Sequence, residues 1–192
     1  SKTFVSANLA ATFSISEKKV LLIGLDLRNP KLYEYIKVNP LGISNYITAN
    51  NTSLNDYIVP VEGYTNFDVL SSGSIPPNPT EILMSKKIKE VFDTLKKQYD
   101  YIIVDTAPVS LVTDTLLISK YADATIYVVR ANKINKEMLR IPNELYKDEK
   151  LNKLSFVLND SDATKGYGYG YGYGYGAKVE KNPFWKTLLG IK

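Results

Sequence analysis

The sequence predicts an α/β fold with a doubly wound, mostly parallel sheet, and three observations lead to that prediction. Short apolar runs alternate along the chain with segments of helical periodicity. The runs are continuous rather than alternating in polarity, as in parallel strands buried on both faces. The 192 residues are 44% hydrophobic and 23% charged, a composition that supports a buried core. Such a sheet binds its ligands at the carboxyl ends of the strands.

Four apolar runs are predicted to be strands. They are Lys19–Gly24, Tyr101–Asp105, Ala124–Arg130 and Leu154–Asn159. Each is short and largely apolar, as expected of a strand that is covered on both faces.

Helical segments are predicted between these strands. The clearest begins at Asn78, which can cap it, with Pro79 in the first turn and Glu81 completing a capping box. The apolar residues that follow at helical spacing are Met84, Ile88, Val91, Phe92 and Leu95. The other predicted helices are Phe4–Ser14, Thr113–Tyr121 and Lys136–Tyr146.

The chain changes character after the last predicted strand. Ser161–Lys165 is a polar linker, and glycine and tyrosine then alternate strictly from Gly166 to Gly176. Because every second residue is glycine, ordering this segment is costly, and we expect a flexible tail. We therefore divide the chain into a folded domain, residues 1–160, and a tyrosine-rich tail with a basic end, residues 161–192.

Composition excludes several kinds of site. The chain has no cysteine and no histidine, which rules out disulfides, thiolate nucleophiles, zinc fingers and histidine-based triads. The net charge of +4 is dispersed, so we expect no nucleic-acid partner. No apolar run approaches the ~20 residues that span a bilayer. The chain lacks an initiator methionine and begins inside a motif, so we expect a fragment that is itself soluble, and a membrane segment upstream stays open.

The first residues resemble the end of a phosphate-binding loop. Ser1-Lys2-Thr3 precedes a helical pattern and matches the last part of the motif G-x-x-x-x-G-K-[ST]. Lys2 is expected to reach the β- and γ-phosphates of a nucleotide, and the Thr3 hydroxyl to coordinate Mg²⁺ at the helix N-terminus. A lysine beside a helix cap is the ordinary alternative, so this interpretation depends on the residues that follow.

Two predicted strands deliver an aspartate to the same edge of the sheet. Asp26 follows the first strand, and Asp105 ends the second. This is how a Walker B aspartate is placed near Mg²⁺, which needs few carboxylates because waters and phosphate oxygens complete its shell. Aspartates that only cap the next turn are the alternative for each one alone.

The order of these motifs resembles the bacterial tyrosine kinases, P-loop NTPases related to the MinD and ParA ATPases that usually act in capsule or exopolysaccharide assembly. The matching segments are K-T-F-V-S-A-N-L-A, L-L-I-G-L-D-L-R-N-P, P-P-N-P-T-E-I-L, I-I-V-D-T-A-P and V-L-N-D before a tyrosine cluster. The resemblance implies that Lys2 and Thr3 end the Walker A motif, and that Asp26 lies in Walker A′ and Asp105 in Walker B. It also implies that the Walker A′ carboxylate organises Mg²⁺ and assists deprotonation of the incoming tyrosine.

Three residues depart from the pattern of that family. Ser1 stands where a glycine usually precedes the lysine, Gly24 where many members carry a first Walker A′ aspartate, and Ala107 where a proline is common. The glycine-rich part of the loop and its preceding strand are missing, and they supply most of the backbone N–H groups that hold the phosphates. Whether this chain alone binds nucleotide is therefore left open.

The base is predicted to be adenine. The segment Asn132-Lys133-Ile134-Asn135 imitates a guanine-recognition motif, but Asn135 lacks the carboxylate that guanine needs. Pro108 has no N–H to offer a γ-phosphate, as a GTPase requires at that position. Asn159 resembles the residue that contacts adenine in MinD-like proteins, and a turn-forming Asn-Asp pair is an equally good interpretation.

The tail is predicted to be the phosphoacceptor. Its clustered tyrosines are Tyr167, Tyr169, Tyr171, Tyr173 and Tyr175. Glycines on either side remove steric barriers to an active site, although composition alone would also suit a Gly/Tyr linker. Five phosphotyrosines would add roughly −8 to −10 in charge, which more than reverses the net +4 of the chain.

Together these features predict an ATP- and Mg²⁺-dependent autokinase, and the resemblance implies that it acts at the cytoplasmic face of the plasma membrane in exopolysaccharide assembly. The resemblance implies phosphorylation between subunits of a ring-like homo-oligomer and a membrane activator on the same or a separate chain. Two alternatives stay open: an ATPase switch like MinD or ParA without tyrosine kinase activity, and a degenerate domain that another kinase phosphorylates.

Overall fold

The computed structural model describes residues 2–109 and 112–161 and confirms the α/β fold. In chain order, the helices are α1 (Lys2–Ile15), α2 (Ile43–Thr48), α3 (Pro79–Met84), α4 (Lys86–Leu95), α5 (Asp114–Ser119) and α6 (Arg140–Lys147). The strands are β1 (Val20–Leu25), β2 (Ile58–Pro60), β3 (Phe67–Leu70), β4 (Tyr101–Thr106), β5 (Thr125–Arg130) and β6 (Leu154–Asn159). Short 3₁₀ turns lie at Leu32–Glu34, Leu54–Tyr57 and Lys136–Leu139. None of the helices in these ranges is long and apolar enough to cross a membrane.

The strands of this part of the chain form two sheets. The four-stranded sheet has the order β2-β3-β1-β4, with β1 parallel to both β3 and β4 and β2 antiparallel to β3. The second sheet pairs β5 and β6 in parallel. Gly24 of β1 lies directly opposite Asp105 of β4. The carboxyl ends of these two strands therefore meet side by side, which is where the sequence places the phosphate site.

The core lies on both faces of β1, whose six residues are all buried. On one face, Leu21, Ile23 and Leu25 pack with apolar side chains of α3, α4 and α5. On the other face, Val20 and Leu22 pack with the alanines of α1. Because those alanines are small, α1 lies close against β1 and β4, and this brings its first turn to the edge where the strands end.

All four predicted strands are present within one residue of their predicted ends, but β2 and β3 were not predicted from the sequence. They have three and four residues, too short for an apolar run to stand out. Pro60 and Asp68 also interrupt their pattern, although Phe67, Val69 and Leu70 of β3 are almost completely buried.

The single helix predicted after Asn78 is wrong, because the chain forms two helices with a break at Ser85. Ser85 has extended backbone angles, φ −64° and ψ 150°, which turn the chain between α3 and α4. Met84 is consequently 67% exposed rather than part of the buried face. The predicted capping box is absent from α3, since the Asn78 side chain accepts no backbone N–H and instead donates to the Glu81 carboxylate.

The turn that follows β3 requires glycine at position 73. Its φ is +76°, a left-handed conformation that side chains disfavour. A Cβ added there would lie 2.2 Å from Asn45 Oδ1 and 2.7 Å from the Gly42 nitrogen. The crowding arises because Asn45 Oδ1 accepts N–H bonds from both Gly42 (3.1 Å) and Ser74 (3.0 Å), which joins two loops.

We expect Gly73→Ala to lower the free energy of unfolding by about 3 kcal/mol or more, since backbone strain and overpacking act together. Gly63→Ala is the matched control, because Gly63 has φ +84° but no atom within 4 Å of the added Cβ. Backbone strain alone should cost about 1 kcal/mol there. Urea unfolding followed by circular dichroism measures the free energy of unfolding of both variants. Equal losses of stability in the two variants would contradict the crowding argument.

Candidate nucleotide and metal site

A cavity of about 390 Å³ lies where β1 and β4 end and α1 begins. Its lining includes Lys2, Thr3, Asp26, Arg28, Lys31 and Tyr35. Three of the residues singled out from the sequence, Lys2, Thr3 and Asp26, are therefore brought together at this edge of the sheet. Asp105 is buried beside them at the end of β4.

Lys2 and Thr3 occupy the first turn of α1. The Ser6 hydroxyl donates to the carbonyls of Lys2 at 3.0 Å and Thr3 at 3.2 Å, which holds that turn in its helical form. Thr3 is only 7% exposed. The first N–H groups of a helix have no acceptor within it, so this end carries a partial positive charge that favours an anion. The first turn of α1 thus offers an ammonium, a hydroxyl and a helix N-terminus to a phosphate.

Asp26 is held in place by its own loop. Its Oδ1 accepts the backbone N–H of Asn29 at 3.0 Å, a short turn closed by a side chain. That hydrogen bond fixes the direction of the carboxylate and involves only Oδ1 of Asp26, not Oδ2. Asp26 therefore presents an oriented carboxylate to the cavity that it lines.

Asp105 is 4% exposed, and burial raises the pKa of its carboxyl group above the usual range. The Thr3 hydroxyl and the Lys2 ammonium act in the opposite direction and lower the pKa, while the charge of Asp26 raises it further. Within the described residues, Asp105 Oδ1 is buried without a hydrogen-bond partner. A buried carboxylate oxygen without a donor is costly, and a cation would relieve that cost.

These residues fit Mg²⁺ bound together with phosphates. Asp26, Asp105 and Thr3 supply two carboxylates and a hydroxyl, the hard oxygen ligands that Mg²⁺ prefers. Over residues 2–109 and 112–161, no group of three or more acidic, cysteine or histidine side chains could hold a metal ion by itself. Phosphate and water oxygens would therefore have to complete the coordination, as is usual for Mg²⁺ at nucleotide sites.

Gly24, where the resemblance expects a first Walker A′ aspartate, lies against the turn that follows β3. A Cβ at this position would lie 3.1 Å from the Ser72 nitrogen and 3.5 Å from Leu32 Cδ2. The first distance is shorter than ordinary van der Waals contact, so a side chain at position 24 would displace backbone. The close approach of this turn accounts physically for the glycine.

Sequence reasoning missed Arg28 and its partner Asp114. Arg28 lines the cavity and forms an ion pair with Asp114, with 2.6 Å between Nε and Oδ2. The hydrogen bond to Asp114 and its charge raise the pKa of the Arg28 guanidinium. The position of Arg28 two residues after Asp26 was the available signal, whereas nothing near Asp114 in the sequence marks it as the partner.

The structure does not bring Asn159 to the cavity. Asn159 ends β6 in the second sheet, where its carbonyl accepts the N–H of Ala131 at 2.9 Å. Its contact with adenine stays a prediction. Ser1 and the five clustered tyrosines predicted as phosphoacceptors lie outside the described residues.

Comparison with known proteins identifies similar sequences. A family model described as an AAA domain matches residues 1–139. The chain is 36% identical over 129 residues to the tyrosine-protein kinase wzc of Salmonella typhimurium. The aligned residues cover 67% of this chain and 18% of that protein. It is 34% identical over 165 residues to the tyrosine-protein kinase YwqD of Bacillus subtilis, covering 85% of this chain and 69% of that protein. The chain thus spans about a fifth of the length of the first relative.

Solved structures with similar folds include the chimerical protein CapA2B2, with a TM-score of 0.75 and 35% identity over 82% of this chain and 69% of that one. Another is MinD from Pyrococcus horikoshii in complex with Mg-ADP. It has a TM-score of 0.62 and 23% identity, and covers 82% of this chain and 64% of that one. The similarity to MinD bears on the fold alone.

Proposed function

Because this chain belongs to the bacterial tyrosine-protein kinases, we propose that it transfers the γ-phosphoryl group of ATP to tyrosines of its own tail. The observation that carries the proposal is the meeting of Lys2, Thr3, Asp26 and Asp105 at one edge of the sheet. Such a site suits phosphoryl transfer, which depends on positioning and charge neutralisation more than on covalent chemistry of the protein.

In the proposed reaction, the phenolic oxygen of a tail tyrosine attacks the γ-phosphorus of ATP. A new O–P bond forms while the bond from the γ-phosphorus to the bridging oxygen breaks, and its electron pair leaves with ADP. The phenolic proton passes to the Asp26 carboxylate, which lines the cavity. The products are phosphotyrosine and ADP.

The residues of the site divide the remaining tasks in this proposal, and Asp26 has a second role beside that of proton acceptor. Lys2 places a positive charge on the β- and γ-phosphates, where negative charge moves during transfer. Thr3, Asp26 and Asp105 would hold Mg²⁺, which when bound neutralises the phosphates and orients them for in-line attack. Asn159 is proposed to contact the adenine.

The tail supplies the acceptors in the same chain. Its five tyrosines are Tyr167, Tyr169, Tyr171, Tyr173 and Tyr175, each flanked by glycine. We propose that tails are phosphorylated between subunits of a ring-like homo-oligomer. Because phosphorylation adds roughly −8 to −10 in charge, a full tail would repel its neighbour and loosen the ring.

The setting of this activity is also proposed. Among the relatives, one is named as a putative tyrosine-protein kinase in the cps region of Klebsiella pneumoniae and another as CapB of Staphylococcus aureus. We propose that the protein works with a membrane activator at the cytoplasmic face of the plasma membrane and regulates the assembly and export of an extracellular polysaccharide.

An ATPase switch without tyrosine kinase activity is the second candidate. The same four site residues would suit ATP hydrolysis as well, and MinD, solved in complex with Mg-ADP, shows that the fold is compatible with this alternative. The tyrosine cluster favours the kinase, since a switch needs no row of acceptors.

Mass spectrometry of the tail distinguishes the two candidates. Trypsin should release Gly166–Lys178 from the full-length protein as one peptide that holds all five clustered tyrosines. After incubation with ATP and Mg²⁺ we expect a ladder of up to five phosphate additions, and no ladder with ADP. Replacing the five tyrosines by phenylalanine should remove the ladder while ATP binding persists. An unmodified peptide with continuing ATP hydrolysis would support the switch instead.

A further inference from the structure

An ion pair at the edge of the cavity ties three elements together. Arg28 Nε donates to Asp114 Oδ2 at 2.6 Å, and Arg28 Nη2 donates to Asp114 Oδ1 at 3.1 Å. The same Nη2 donates to the Thr80 hydroxyl at 3.0 Å, and that hydroxyl donates to Asp114 Oδ1 at 3.3 Å. One guanidinium therefore joins the loop after β1 to the first turns of α3 and α5.

This contact is built to be rigid. The Asp114 side chain is 3% exposed, so its carboxylate depends on these bonds for its stabilisation. The pairing is bidentate, which fixes the angle of the guanidinium as well as its distance. Arg28 is more open, at 43% side-chain exposure, and lines the cavity. The buried partner thus holds the arginine, and the arginine holds the loop of Asp26.

The next residue of α5 holds the other carboxylate loop. The Thr115 hydroxyl donates to the carbonyl of Ala107 at 2.6 Å. Ala107 follows Asp105 by two residues, just as Arg28 follows Asp26 by two. Two consecutive side chains at the start of α5 therefore anchor the two segments that follow the site carboxylates, Asp114 through Arg28 and Thr115 directly.

We propose that Asp114 and Thr115, acting through Arg28 and Ala107, set the position of the Asp26 carboxylate relative to that of Asp105. Arg28 is in this view a positioning residue for the pair of carboxylates that would bind a divalent cation. The inference rests on the metal site of the proposed function and adds residues that set its geometry.

The chemistry of the cation makes such positioning effective. Mg²⁺ demands near-ideal octahedral geometry and short bonds to oxygen, so small shifts of one carboxylate weaken binding. Residues that orient the ligands of a metal typically change its affinity by about 10- to 100-fold when replaced. A bidentate arginine cannot be replaced equally by lysine, which offers a point charge without the planar fork.

The test measures Mn²⁺ binding, with Mn²⁺ as a paramagnetic substitute for Mg²⁺, by electron paramagnetic resonance of the full-length protein with ADP. We expect Arg28→Lys and Asp114→Asn each to raise the dissociation constant of Mn²⁺ about tenfold. The matched control is Arg130→Lys, which alters another ion pair, Arg130–Asp160, also with an N–O distance of 2.6 Å but exposed on both sides. The dissociation constant of Mn²⁺ for this control should stay within about twofold of that for the unchanged protein.

Thermal unfolding of each variant separates positioning from general stability. Arg28→Lys keeps the charge, and Thr115→Val keeps the shape of the side chain, so both should fold even if Asp114→Asn does not. Folded Arg28→Lys and Thr115→Val proteins that bind Mn²⁺ as tightly as the unchanged chain would overturn the inference. The two proposals can also fail separately. If these variants bind Mn²⁺ more weakly but the tail of the unchanged protein is never phosphorylated, the inference is upheld and the kinase proposal is refuted.

Discussion

Replacing Asp105 by asparagine should lower the rate of tail phosphorylation by about 10³-fold or more, because a metal-binding carboxylate supplies transition-state charge stabilisation. Asparagine has nearly the same shape but cannot neutralise a cation. The rate is read from the phosphate ladder of the tail peptide over time. Asp123→Asn is the matched control, since Asp123 is exposed and lies before β5, away from the site.

The same variant should be no less stable than the unchanged chain at neutral pH when nucleotide and metal are absent. The pKa of Asp105 is raised in the folded state, mainly by burial, so the native protein holds this proton to higher pH than the unfolded chain does. The ionised carboxylate therefore costs stability above its folded pKa, and that cost fades as pH falls through the folded pKa towards the unfolded pKa. Melting temperatures of the two proteins should converge over that range, and a variant that melts well below the unchanged chain at pH 7 would contradict this assignment.

Replacing Lys2 by methionine should lower the phosphorylation rate by about 10²- to 10³-fold, as loss of one donor to a developing charge typically does. Methionine keeps the length of the side chain and its helix propensity, so α1 should still form. The phosphate ladder again measures the rate, and nucleotide affinity is measured separately with a fluorescent ATP analogue.

Lys31→Met provides the comparison, since Lys31 is exposed and lines the same cavity. It removes an equal charge from the same region, but Lys31 lies outside the first turn of α1. We expect the phosphorylation rate of Lys31→Met to stay within about threefold of that of the unchanged protein, because an exposed charge is screened by solvent. Equal losses in the two variants would indicate that the cavity requires positive charge in general and would refute a specific role for Lys2.

The sequence predicted the strands that carry the site because their signal is local. β1 and β4 are continuous apolar runs, and an aspartate follows the first while another lies at the end of the second, so strand, edge and carboxylate could all be identified from neighbouring residues. Parallel pairing then brings Gly24 opposite Asp105, which places the two loops together. The fold class and family that these motifs predict are confirmed, while the roles of the site residues stay predictions.

Other features were decided only by tertiary structure, because they depend on residues far apart in the chain. Arg28 pairs with Asp114, which lies 86 positions away in the sequence, and no local pattern indicates this ion pair. The glycine at position 24 depends on a turn that follows β3, a strand too short to predict. The break at Ser85 likewise overrides a helical periodicity that continues through it. Local sequence therefore determined which chemical groups reach the sheet edge, and packing between distant segments determined how firmly they are held there.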